Sequence, residues 1–554
     1  MLRKISLLTL FAAGISTASL AQDIDKGYLT GSFETNTNYY ANDGKTNATV
    51  PDGHFGSNNY LKLDYYKSKF AIGVQLEAYE PALVGYPNEL EKAKLTNYYV
   101  SWTDDDFSIT AGSFYEQFGS GLLFRAWEDR ALGLNNAIMG ARFTYNYKDL
   151  VSVKAIWGMP RFGMEYSDTQ VRGADISFSL SNLLKWQKTS LSLEASALNR
   201  TFKEIPVDLE EEGGKSYNNG FSGRINLERS GFSMKAEYVD AGNKFYENPR
   251  YGSSEQEENF FLKKRGNAQL LELGYNRNGL GINLTGRRLE WMDNKILYGN
   301  GSTSNLINYV PAMCTQYTYM LTTLHPYTSM TSWLSGNHIS SGEMGAQLDV
   351  YYNFKRGTAI GGKRGMKVHA NFSTYYTLDE EKSLKADQML FRDFSIDIEK
   401  QWSRDFKMLF LYSAQEKSTS YGANKNTMVQ NIFVTDMQYK FTPKLSARME
   451  LQYLLTHEEE KDWMAALLEI NFAPKWSIYG SDMYNHGSTK IHYYNAGVSY
   501  AKSRTRVALS YGRFKAGYIC SGGVCRTIPA YTGANLSITC LLYTSDAADD
   551  DGYV

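Results

Sequence analysis

Apolar and polar residues alternate one for one along much of this chain, in blocks separated by turn residues. Phe221, Gly223, Ile225 and Leu227 alternate with Ser222, Arg224, Asn226 and Glu228. Phe232, Met234, Ala236 and Tyr238 alternate with Ser233, Lys235 and Glu237, and Leu280, Ile282 and Leu284 with Asn283, Thr285 and Arg287. Phe394, Ile396 and Ile398 face Asp393, Ser395, Asp397 and Glu399, and Leu445 to Tyr453 repeat the pattern against Ser446, Arg448, Glu450 and Gln452. Side chains of a strand point to opposite faces in turn, so each block is a strand with one apolar and one polar face.

A soluble sheet with one wet face alternates in the same way. Two features point instead to a membrane barrel. The blocks run to roughly 9–13 residues, the length of a tilted bilayer crossing rather than of an ordinary strand. Connections also alternate between short and long. The short ones, among them Ser230-Gly231, Asn278-Gly279, Thr442-Pro443-Lys444 and Pro474-Lys475, carry turn chemistry. The long ones cover 41–57, 80–92, 116–136, 201–217, 243–265, 291–342, 416–427 and 513–529. The expected fold is all-β: a single large antiparallel transmembrane β-barrel of about 24 strands (22–24), with short periplasmic turns and long extracellular loops.

Composition agrees. The chain has 42 Tyr and 27 Phe but 11 Pro and 7 His, a balance suited to strands and membrane interfaces. No stretch is apolar for the 18 or so residues of a helical span. Net charge is −1, which leaves no basic field for nucleic acid. The first residues, Met1-Leu2-Arg3-Lys4, an apolar run from Ile5 to Ile15 and Ser19-Leu20-Ala21, read as a Sec signal peptide over 1–21. The destination is then the outer membrane of a Gram-negative cell. The expected partners are its lipid and lipopolysaccharide, the barrel-assembly machinery and a small solute of unknown identity. Residues 22–539 form the barrel. After Thr539 the alternation stops, and 540–554, with the acidic run Asp546–Asp551, resembles translated sequencing adapter rather than native chain.

Two stretches, Gly112 to Gly133 and Asn308 to Tyr327, together with the leader and the strand pattern, resemble a family of uncharacterised, porin-like outer-membrane barrels of Bacteroidota. The resemblance implies the fold and the location and brings no functional residues with it.

The strongest local candidate is 116–136, where Glu116, Arg125, Glu128, Asp129 and Arg130 sit among glycines in a segment without alternation. It is either a loop folded into the lumen as a charged constriction or a salt-bridged loop closing a rim. The segment 291–342 is too long for a simple hairpin loop, and the aromatic and Met content of Tyr309–Tyr327 allows a helix. Barrels of about 22 strands need a plug, and a strand starting near Lys26 leaves no room for one at the N-terminus. Both segments are therefore expected to fold inward, with packing on the outer rim as the alternative. Arg224, Lys235, Glu237, Arg287, Asp349, Asp397, Arg448 and Glu450 are expected to face the lumen in pairs of both signs. Cys520 and Cys525 flank a tight polar loop and are expected to form a disulfide.

Enzymatic readings are weak. His369 and Ser373 share a face four residues apart, too far for a direct hydrogen bond, and His486 and His492 flank a short loop without a carboxylate constellation. No zinc spacing occurs, and no metal or cofactor is expected. The reading is a channel for small solutes restricted by inward loops. Its rival is a plugged surface barrel that binds or scaffolds through its extracellular loops.

Overall fold

The computed structural model describes residues 27–543 apart from 47, 49, 252–259, 299–302, 336–337, 380–383, 458–459 and 522–523. The leader, the acidic stretch at 253–258 and the residues after Tyr543 lie outside the described residues. Twenty-four antiparallel strands form one barrel, each paired with its neighbours in sequence. The ring closes where the first strand, Tyr28–Ala41, meets the last, Tyr531–Tyr543, in register from Thr30 opposite Tyr543 to Ala41 opposite Thr532. Pairing thus continues past Thr539, with Cys540 opposite Phe33.

The turns explain the register. Ser230 and Gly231 have φ of 50° and 86°, Asn278 and Gly279 of 53° and 88°. Two successive positive φ values make the two-residue turn whose twist matches the flanking strands, and Ser, Asn and Gly reach that region at low cost. Short turns crowd one end of the barrel. Two longer connections share that end, 180–188 and 355–365, the first holding a helical turn at Leu180–Leu183 capped by Ser179. Every long segment read from the sequence opens at the other end.

Outward residues form apolar rows: Phe70, Ile72, Val74 and Leu76 are all exposed, whereas Gln75 and Glu77 between and beyond them are buried. The inner face departs from the expected polar lining. Val171, Leu198, Val239, Leu270, Leu289, Leu411, Val434 and Leu454 are buried among the polar residues of that face. They are apolar because they do not meet water: chain folded into the lumen covers them.

Candidate functional site: a filled lumen

The first inward segment leaves the strand Phe107–Phe114 and rejoins the wall at Ile138. It doubles back so that Gln117 pairs with Arg125 and Phe118 with Phe124. Gly119 (φ 54°) makes the turn possible, since a Cβ there would stand 2.6 Å from both Arg224 Cδ and Glu237 Oε1 on the wall. Phe118, Leu122, Leu123 and Phe124 are at most 2 % exposed and pack on Ile156, Val171, Leu198 and Val239. Burying one such side chain stabilises the docked segment by about 1.5–3 kcal/mol. Polar anchors hold its edges: Ser120 N donates to Glu237 (3.2 Å), Lys154 to Glu116 (2.8 Å), Gln75 to Glu128 (2.8 Å) and Arg130 to Glu34 (2.7 Å).

The second segment, 291–341, is stitched to the first. Arg125 N donates to Ile307 O (2.8 Å) and Tyr309 N to Gly121 O (2.9 Å). Three asparagine amides complete the seam, Asn294 to Leu123 O (2.8 Å), Asn308 to Leu122 O (3.1 Å) and Asn136 to Leu306 O (2.8 Å). The chain then crosses the lumen. Glu343 accepts from Arg287 (2.9 Å), from Met330 N (2.9 Å) and from the Tyr327 hydroxyl. Farther on, Thr315 donates to Asp349 (3.1 Å), Tyr317 to Asp397 (2.8 Å) and Leu321 N to Gln452 (2.9 Å). Leu321 is fully buried against Leu411, Val434, Leu454 and Trp463. No helix forms over Tyr309–Tyr327; among the described residues of this segment the one helical turn is Thr303–Asn305. Backbone donors that a helix there would have used go elsewhere, Leu321 N to Gln452 of the wall and Tyr309 N to Gly121 O of the first segment.

The five charged residues singled out in 116–136 do not converge into a ring. Glu116 pairs with Lys154, Arg125 lies against the rings of Trp127 and Tyr309, and Asp129 accepts from Leu132 N. Glu128 and Arg130 are bridged to Gln75 and Glu34. The wall charges are paired too: Arg224 with Asp175 and Glu194, Lys235 with Glu272 (3.7 Å), Arg448 with Asp436 (2.9 Å) and Glu450 (2.5 Å). His369 lies between Asp349 (3.1 Å) and Asp397 (2.7 Å), one on each ring nitrogen, so the three groups do not converge on a point. Ser373 instead donates to Asn371, and His492 meets Asp482 at 2.6 Å on an exposed surface. At the loop end, Cys520 and Cys525 are joined in a disulfide, and Arg526 on the same hairpin stacks on Tyr86 and donates to Gly85 O and Ala131 O.

Sequence reasoning missed a deeply buried ion pair. Arg161 and Glu77 are each 1 % exposed and meet fork to fork at 2.6 and 2.7 Å. Thr96 and Gln75 also donate to Glu77, and Asn97 links Arg161 to the Tyr115 hydroxyl at the root of the first inward segment. Glu77 sits on an inward row with Gln75, which marks its face; nothing in the sequence marks a partner 84 residues away.

His325, at the far reach of the second segment, supplies a pH dependence. Burial pushes its pKa down to about 4, and Lys417 and Lys515 push the same way. Once displaced into water the ring returns to its ordinary 6.5. Above pH 6.5 the docked segment carries no penalty from this group. The penalty grows as pH falls from 6.5 through about 4 and is complete below that. Release of the docked segment, read as its hydrogen exchange, should increase over this window, and His325→Gln should flatten the part due to this ring; an unchanged profile in the variant would show that other groups govern it.

A model described as a family of unknown function (DUF6029) matches residues 1–542. No curated protein matches the sequence. Among solved structures, the chain is similar to the P pilus usher PapC translocation pore, at 9 % identity over 94 % of this chain and 100 % of that one, TM-score 0.42. It is also similar to the siderophore receptor PirA of Pseudomonas aeruginosa, at 9 % identity over 93 % and 80 %, TM-score 0.41. A third is OccAB3 of Acinetobacter baumannii, at 9 % identity over 93 % and 98 %, TM-score 0.35.

Proposed function

Because this chain belongs to DUF6029, a family of unknown function, its role has to be read from the molecule, and we propose that it is an outer-membrane channel for small solutes whose bore is set by 115–137 and 291–341. The outward apolar rows support placement in a membrane, since a soluble protein rarely leaves so much contiguous apolar surface bare. Exposed aromatics include Phe221 toward the loop end of its strand and Phe70, Phe472 and Trp476 at the turn ends of theirs. From Phe221 to Arg229 is eight strand residues; at about 3.4 Å each and a tilt of about 40° that spans roughly 20 Å, near the ≈ 25 Å apolar band of such barrels. Export through the Sec pathway, insertion by the barrel-assembly machinery and contact with lipopolysaccharide belong to the same proposal.

The observation that carries the channel reading is that the ring is wide and its filling is chain rather than wall. Below the inserts, toward the turns, a cavity of ≈ 640 Å³ of mixed lining stays open, with Lys62, Gln75, Asn97, Tyr99, Glu128 and Arg142 among its residues. A solute path through this molecule passes the inserts and then this vestibule. The second reading, a plugged surface barrel acting through its outer loops, draws on the density of the anchors: three apolar clusters and the ion pairs of Glu116 with Lys154 and Arg130 with Glu34 hold the filling in place. Swelling of proteoliposomes in sugars of graded size separates the two. The channel reading expects swelling with small sugars and a sharp size limit, and swelling no faster than empty liposomes for every sugar would favour the plugged barrel.

A further inference from the structure

Near the loop end, where the second insert leaves the wall, positive charge is buried without its counterpart. Arg200 is 3 % and Lys244 8 % exposed, and both line a small cavity with Lys295 of the insert. Arg200 donates to Lys295 O (2.9 Å) and to the Asn218 (2.9 Å) and Asn294 (3.4 Å) amide oxygens, and Lys244 to Trp291 O (2.5 Å). Each of these acceptors is neutral. Among the described residues no carboxylate lies within 4.0 Å of any of the three cations. The single acid lining the cavity, Asp293, is occupied by the hydroxyls of Thr331 and Ser332. The Tyr246 hydroxyl, on a side chain also turned into this cavity, is buried beside Ser332.

Burying a cation without an anion is expensive, and proteins avoid it unless something completes the site. Here three basic side chains share the pocket with one carboxylate, and a bound anion would offset the positive charge they carry. The groups not used up, the remaining Lys244 protons and the Lys295 ammonium, are donors. The strand opposite is cut back to make room, since a Cβ at Gly266 would stand 2.9 Å from Lys244 Nζ. The cavity measures ≈ 40 Å³, where one water takes about 10–15 Å³, so it admits a small compact group and no larger solute body.

We propose that this pocket binds a phosphate dianion, either free or as the end group of a phosphomonoester reaching in from the loop side. Tetrahedral oxygens take donors from several directions, and the doubly charged form offsets that positive charge. The cluster faces the interior of the ring, so lipid headgroups outside do not reach it.

The test is calorimetric titration of the purified full-length barrel in detergent with inorganic phosphate and, separately, with glucose 6-phosphate. The expected result is saturable binding of at least one of them, weakened about ten-fold or more by Lys244→Met. Lys295→Gln, on the insert and only half-buried, weakens it as well and covers the case in which Lys244→Met does not fold. Binding of the ester alone would assign the pocket to a phosphorylated solute, and binding of both to the phosphate itself. No saturable heat with either probe in the wild-type barrel overturns the proposal, as does binding that Lys295→Gln and a folded Lys244→Met leave unchanged.

Discussion

Deleting residues 300–335 should raise single-channel conductance several-fold. That stretch carries Tyr317, Leu321, Tyr327 and Met330, the side chains through which the second insert reaches the wall beyond the strand Gly342–Phe354. A ring of 24 strands is wider than those that already leave an aqueous channel, so its bore is set by what occupies it. The wall itself does not depend on the stretch: the strands on either side of the insert, Leu280–Glu290 and Gly342–Phe354, pair directly with each other. The deletion variant should therefore still fold to a heat-modifiable barrel. A folded variant with wild-type conductance would mean that the insert lies out of the path.

Glu77→Ala should destabilise the barrel by about 3–5 kcal/mol, because it strands the Arg161 guanidinium in an interior that excludes water. The remaining acceptors, Gly163 O, Asn97 and the Met164 sulfur, are neutral and cannot replace a carboxylate. The loss should appear as a lower denaturant midpoint for the folded form. Replacing both partners, Glu77→Leu with Arg161→Met, should cost less than either single change, since no unpaired charge is left behind. A double variant as unstable as the singles would place the effect in packing instead of charge. The same pair bears on the lumen, because Asn97 connects it to Tyr115 and Gln75 connects its neighbourhood to Glu128.

What could be read in advance was local. Alternation with period two and turns such as Asn278-Gly279 depend on neighbouring residues, so strand number and the sorting of short and long connections were legible. The inner wall was not. Val239, Leu270, Leu411 and Val434 look in sequence like any apolar strand residue, and they are covered by segments far away in the chain. Arg125 and Glu128 stood out as charged residues among glycines, but their partners, Tyr309 and Gln75, lie on other elements. The inward course of 291–341 followed from its length and the width of the ring. Its lack of helix did not, because that depends on distant groups such as Gln452 and Gly121 O competing for backbone donors. Arg200 and Lys244 carry no local mark at all; only the fold brings them together.

The most direct test of the channel account is single-channel recording of the intact full-length barrel in a planar bilayer. The account predicts steady, salt-dependent steps well below those of the 300–335 deletion. A silent bilayer from a barrel shown to be folded and inserted would contradict it and leave a plugged surface barrel.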